Sequence, residues 1–250
     1  MTNFKQAFSH WCFSKLTETQ IQQIHEIGIT GIEMPPADDY VKWRDRGFSI
    51  VSIAGHKTIE DGLNKTENHS RIADELRANL EVAQKFGIPN LICFSGNRDG
   101  KSDDEGATNT IEGLRLVAKD AEDAGVTLIM ELLNSKEHKD YQCDHTAWGV
   151  DVVKAVNSPR VKLLYDVYHM QRMEGDVIPT ILENADYIAH YHTAGNPGRN
   201  DLNNKQELYY PAIAQAIRET GYTGWVGHEF LPLTDPVEAL REAFAVFATQ

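Results

Sequence analysis

The chain has little cysteine, no long apolar run and no concentration of positive charge. Its three cysteines, Cys12, Cys93 and Cys143, are odd in number and share no metal-motif spacing. A disulfide scaffold is therefore set aside, and reduced thiols in a cytoplasmic protein are expected. The longest uninterrupted apolar stretch, Ala243–Ala248, has six residues, whereas a membrane-spanning helix needs roughly 20. The opening residues MTNFKQAFSH carry no apolar core of a secretory signal. With 24 basic against 37 acidic residues, the formal net charge is −13. Such a surface repels the phosphate backbone of nucleic acid and the anionic face of a membrane, and no Lys/Arg cluster offsets it locally. Neither is an expected partner.

Several chemical signatures are missing as well. Gly96-Asn-Arg-Asp-Gly100-Lys101-Ser102 has the look of a phosphate-binding loop, but one residue too few separates its glycines and acidic residues follow directly. No GxSxG, HExxH or CxxC occurs, so covalent serine or cysteine catalysis has no positive support. The first strand candidate runs into Ser9-His10-Trp11-Cys12 without a glycine, which argues against an open dinucleotide-binding sheet.

What the sequence does have is alternation. Short apolar segments at Lys5–Ser9, Gly31–Met34, Phe48–Ile53, Asn90–Ser95, Thr127–Leu132, Lys162–Tyr165, Tyr187–His192 and Gly224–Glu229 read as strands. Several are apolar on both faces, as parallel strands covered on both sides are. Amphipathic stretches lie between them; in Arg71–Phe86, Ile72, Leu76, Leu80 and Ala83 form one stripe. Gly28, Gly47, Gly87, Gly125 and Gly221 each end a helical stretch and precede an apolar residue, the signature of a left-handed C-cap. Thr17 to Gln20 fits a capping box, and Asp235-Pro236-Val237-Glu238 an N-cap with proline at the first helical position. Eight strand–helix units in 250 residues is about 31 residues per unit, the size of a (β/α)8 TIM barrel. The expectation is one domain, residues 1–250, with its longest irregular stretches (55–68, 96–106, 134–144 and 193–207) on the catalytic rim.

In such barrels chemistry sits where strands end. From the fifth strand onward those positions hold Glu131 in LIMELLN, Asp166 in LLYDVYH, His192 in AHYHTAG and Glu229 in VGHEFLP. Closure would gather all four around the axis. Three carboxylates crowded in a low-dielectric mouth repel one another, and a divalent cation removes that cost. Oxygen-rich ligation with one imidazole suits Mn2+, Mg2+ or Co2+, with Zn2+ left open. His169, three residues beyond Asp166, faces the same mouth. Arg199, in the turn Gly195-Asn-Pro-Gly-Arg199, is a candidate clamp for a substrate carboxylate, and Glu137 a candidate acceptor for substrate hydroxyls. His190 shares strand parity with His192 and is expected to point inward and support the ligands through a hydrogen bond. His10, His56, His138 and His145 also lie near strand ends and are expected to be structural or exposed.

The segments MELLNS (130–135), CDHTAWGV (143–150), SPRVKLLYDVYHMQ (158–171), HYHTAGNPGR (190–199) and GHEFLP (227–232) closely resemble the hydroxypyruvate isomerase family of the xylose isomerase-like barrel superfamily. The superfamily pattern covers nearly the whole chain and the close motif match roughly its second half. The resemblance implies that Glu131, Asp166, His192 and Glu229 bind one divalent metal, that Glu131 and Glu229 are the acid/base pair, and that His169 and Arg199 bind substrate oxygens. Glu131-Leu-Leu-Asn-Ser-Lys-Glu137 resembles the ExxNxxE of the ketose epimerases, which makes Glu137 a substrate contact. The implied reaction interconverts hydroxypyruvate and 2-hydroxy-3-oxopropanoate by proton transfer through a cis-enediolate. Epimerisation of a free ketose at carbon 3 is the alternative within the same constellation. Metal-dependent cleavage of abasic DNA, as in endonuclease IV, is opposed by the −13 charge. A binding protein that has lost catalysis would lack an acid/base residue, and both glutamates are present. The expected partner is a small hydroxy-oxo acid or sugar; the oligomeric state is not legible.

Overall fold

Each apolar segment is realised as a strand and each amphipathic stretch as a helix. The computed structural model describes residues 4–248. Its strands are β1 (Lys5–Ser9), β2 (Gly31–Glu33), β3 (Ser49–Ala54), β4 (Asn90–Cys93), β5 (Thr127–Glu131), β6 (Val161–Asp166), β7 (Ile188–Thr193) and β8 (Trp225–His228). They close in chain order into an eight-stranded barrel, and β1 pairs in parallel with both β2 and β8. Every residue of β2, β4 and β5 is buried, as the two-faced apolar pattern requires. β4 stops two residues short of the expected Ser95. Its next backbone groups leave the ladder, because Phe94 N–H donates to His56 Nε2 at 2.9 Å and Ser95 N–H to Tyr141 Oη at 3.0 Å. The sheet gives way there to a loop fixed by side chains.

Contacts gather in two compact units. Among the described residues, one takes in those up to Val51, Asp176–Ala185 and those from His190 onward. At its centre Phe8 meets Phe13, Trp43 and Phe48 edge-on at centroid separations of 5.7, 6.0 and 5.9 Å. A Cβ on Gly31 would lie 2.8 Å from the Ala7 Cβ, so only glycine lets β1 and β2 approach here. The helix Glu18–Ile27 starts in the expected capping box, in which Thr17 and Gln20 satisfy each other's backbone N–H. The helix Pro236–Phe247 starts at Asp235, whose carboxylate accepts from Val237 N–H and Glu238 N–H at 2.9 and 3.2 Å.

The other unit is Ser52–Gly175 with Asp186–Ala189. Its helix His69–Phe86 buries Ile72, Leu76, Leu80 and Ala83, the predicted stripe, together with Ala73. The helix Asp103–Ala124 is capped by Ser102, whose side chain accepts from Glu105 N–H at 3.2 Å. The would-be phosphate loop is thus the entry to a capped helix. Gly28, Gly47, Gly87, Gly125 and Gly221 all have positive φ, as their C-cap reading demands.

Candidate metal centre

Glu229 follows β8 directly and is 3% exposed. Its Oε1 accepts from Trp11 Nε1–H at 2.8 Å and Ser9 Oγ–H at 3.3 Å. Its Oε2 is ion-paired with the Arg199 guanidinium and lies 3.3 Å from Nδ1 of His192. Burial alone would push this carboxyl up; the charge of Arg199 and the Trp11 hydrogen bond override it and hold it below the usual carboxylate range. Arg199 stacks over the Trp11 ring at 5.1 Å. It has φ 56°, a backbone an arginine adopts only where its surroundings fix it.

His192 lies on β7 with no exposed surface. Its Nε2 is 2.9 Å from Oε2 of Glu33, and the other Glu33 oxygen, Oε1, is 2.6 Å from His190 Nε2. Glu33 closes β2 and is fully buried. Burial would raise its carboxyl, but the two imidazoles dominate and hold it down at about 2. His190 points inward as strand parity predicts, and the carboxylate it meets is one that the sequence reading did not single out. Glu33, Ser9 and Trp11 are the additions the structure makes to this region. Glu33 stands at the end of the predicted strand Gly31–Met34, so the rule that found the other carboxylates would have found it.

On the other unit, Glu131 ends β5 and Asp166 ends β6. Both are buried, at 6% and 0% exposure. Tyr141 Oη–H donates to the Glu131 carbonyl at 3.0 Å. Asp166 Oδ1 accepts from the N–H groups of Tyr168 and His169 at 2.8 and 3.2 Å, capping the helix Val167–Met173. Its Oδ2 lies 3.7 Å from His169 Nε2. Because His169 Nδ1 accepts from Asn134 N–H at 3.1 Å, the neutral ring carries its proton on Nε2, the nitrogen on the Asp166 side. Glu137 is bonded by Tyr168 Oη, by Arg172 Nη1 at 2.6 Å and by Asn134 Nδ2 at 3.2 Å. Burial and the neighbouring Glu137 push the Tyr168 phenol up to about 12, so it stays a donor.

The remaining histidines take ordinary roles. His56 is buried and neutral, accepting from Phe94 and meeting the Lys57 carbonyl at 3.0 Å. His10 packs edge-on against Trp43, and His145, half exposed, pairs with Asp144 at 2.8 Å. His138 lies edge-on to His169 at 5.6 Å. Among the described residues, two sets of buried donors could hold a divalent ion: Glu33 with His190 and His192, and Glu131 with Asp166, His192 and Glu229. The second set, three carboxylates and one imidazole, has the hard-donor composition suited to Mg2+ or Mn2+.

Residues 21–250 match the protein family described as xylose isomerase-like TIM barrel. Hydroxypyruvate isomerase of Escherichia coli K12 is 30% identical over 169 residues, 67% of this chain and 65% of that enzyme. The match thus spans slightly less than two thirds of the relative's own length. The 2-oxo-tetronate isomerase of Cupriavidus necator is 32% identical over 154 residues, 61% of this chain and 59% of that protein. Among solved structures, a family 2 AP endonuclease from Brucella melitensis aligns over 100% of both chains with a TM-score of 0.87 at 25% identity.

Proposed function

The chain belongs to the xylose isomerase-like TIM barrel family, and from that premise we propose that it is a single-domain, metal-dependent isomerase of small hydroxy-oxo acids, interconverting hydroxypyruvate and 2-hydroxy-3-oxopropanoate. The donor set carries this reading: Glu131, Asp166, His192 and Glu229 stand at the ends of β5 to β8, neighbours in the closed barrel. The names of the E. coli and C. necator relatives support a small hydroxy-oxo acid as substrate. A net charge of −13 supports a small molecule over a nucleic-acid duplex.

The four residues would hold one ion, Mg2+ or Mn2+ before Co2+ or Zn2+. When bound, the ion supplies Lewis-acid polarisation of a carbonyl. The rest is the work of side chains. Arg199 takes the substrate carboxylate through its planar fork. Before substrate arrives, the same guanidinium sits on Glu229 and weakens it as a base. A substrate carboxylate that draws Arg199 away returns basicity to Glu229 as the carbon-bound proton comes within reach. Glu229 removes that proton, and its return to the adjacent carbon, with transfer between the two oxygens, completes the shift. Glu131 is the acid–base partner. His169 offers its Nε2–H to a substrate oxygen, and Glu137 accepts from a hydroxyl.

Proton NMR in D2O with the Mn2+- or Mg2+-reconstituted enzyme tests the proposal on hydroxypyruvate and, in parallel, on fructose. New aldehyde-hydrate signals with deuterium at the adjacent carbon are expected from hydroxypyruvate. Hydroxypyruvate left inert while fructose exchanges at carbon 3 would replace isomerisation with epimerisation, and silence from both would overturn the substrate assignment.

A further inference from the structure

Glu33 has no part in the proton transfers above, yet it is fully buried and touches one of the proposed ligands. A buried carboxylate is expensive unless each oxygen is taken up, and here each oxygen faces one imidazole, at 2.6 Å for His190 and 2.9 Å for His192. The local backbone is adapted to this. Opposite His192 in the β7–β8 register stands Gly227, where a Cβ would overlap Glu33 Oε2 and lie 2.9 Å from His192 Cδ2. Immediately after Glu33, Met34 has φ 49°, left-handed backbone in a residue that precedes a proline and is normally driven to extended geometry. The end of β2 is therefore held at some cost where it places this carboxylate.

An imidazole has two nitrogens, and the bond made by one decides what the other can do. We propose that Glu33 is a positioning residue: its carboxylate receives the Nε2 protons of both His190 and His192, which leaves Nδ1 of His192 unprotonated and turned toward Glu229 as the ligand atom. This rests on the metal-dependent reading above and adds to it which His192 nitrogen binds and what orients it. His190 completes the arrangement by occupying the second oxygen, so the carboxylate cannot rotate away. Partners of this kind typically tune metal affinity by roughly 10–100-fold. Replacing the carboxylate with an amide would set an NH2 group against one of the two ring N–H groups and force that ring to change tautomer or move.

The first measurement is made on the wild-type protein without metal, by long-range 1H–15N correlation of the imidazole nitrogens. Both His190 and His192 are expected as Nε2–H tautomers; Nδ1–H on His192 overturns the proposal, whether or not any variant folds. The second is calorimetric titration with Mn2+ alone. Glu33→Gln should weaken binding roughly 10–100-fold and shift the His192 nitrogen resonances, with one ion bound per wild-type chain. Equal affinity and unchanged resonances in the variant overturn it, as do two ions per wild-type chain, which would make Glu33, His190 and His192 a second metal site. If the wild-type protein binds no Mn2+, the functional reading fails and the ligand role of His192 fails with it. The tautomers then still decide whether Glu33 receives the two protons.

Discussion

At the scale of single residues, the most informative contact is the one between Arg199 and Glu229. The guanidinium lowers the carboxyl's proton affinity and, in the proposed function, is the group that receives a substrate carboxylate. Arg199→Met separates the two roles. Loss of a charge-assisted bond to substrate should raise KM for hydroxypyruvate roughly 10–100-fold. Removing the cation should also lift the Glu229 carboxyl toward its ordinary value, so the acid limb of the kcat/KM profile moves to higher pH. A raised KM with an unmoved limb would mean that Arg199 serves substrate alone, and an unchanged KM would remove it from the substrate site. The sequence displayed each residue but not their contact: Glu229 stands at the end of an apolar strand, and Arg199 in the Gly- and Pro-containing turn that follows His192. It did not display Trp11 or Ser9, whose bonds to Glu229 span 218 and 220 positions and leave no local pattern. Glu33 is a different case: it stands at the end of the predicted strand Gly31–Met34 and was within reach of the strand-end rule, but its partners His190 and His192 lie on β7 and leave no local pattern beside it.

At the scale of elements, the helices and strands were legible because their rules are local. Stripes of apolar residues, Gly caps and the Asp235 N-cap all act within a few positions of themselves. Strand ends were less legible, as β4 shows. Its last ladder bonds are replaced by His56 and Tyr141, 38 and 46 positions away, and nothing near Phe94 announces them. The Asp235 cap is the simplest element to test. Its carboxylate satisfies two N–H groups at the start of the helix Pro236–Phe247, and Asp235→Ala should cost about 0.5–2 kcal/mol of stability in urea denaturation. Glu229 lies upstream of this cap and is fixed by Trp11, Ser9 and Arg199, so kcat should stay within about twofold at temperatures where the variant is folded. A large loss of kcat in the folded variant would show that the helix start positions the site.

At the scale of the whole molecule, buried histidines make the fold sensitive to acid. His56 and His228 lie in different units, both buried and both held below the ordinary histidine value, His228 down to about 3. Burial is the main cause in each. Protonating His56 would also destroy the acceptor that Phe94 N–H uses; His228 is fixed between Gln6 Oε1 and Thr193 Oγ1, each at 2.9 Å. The sign follows from proton counting. Above about pH 6.5 both states leave these rings neutral, and they add no slope. Below it the unfolded chain protonates them while the folded protein does not, so stability falls as pH falls, until the depressed folded value is passed. Glu33, held at about 2, extends the loss in the same direction below the ordinary carboxylate value. Each such histidine can contribute up to about 1.4 kcal/mol per pH unit within its window. Urea denaturation of the metal-free protein from pH 7.5 to 5 should therefore show declining stability, and His56→Gln, which keeps a carbonyl acceptor for Phe94 but cannot titrate, should decline less steeply below pH 6.5. Parallel slopes for wild type and variant would mean that His56 takes up its proton in the folded state at an ordinary pH, and that the acid sensitivity of the barrel lies elsewhere.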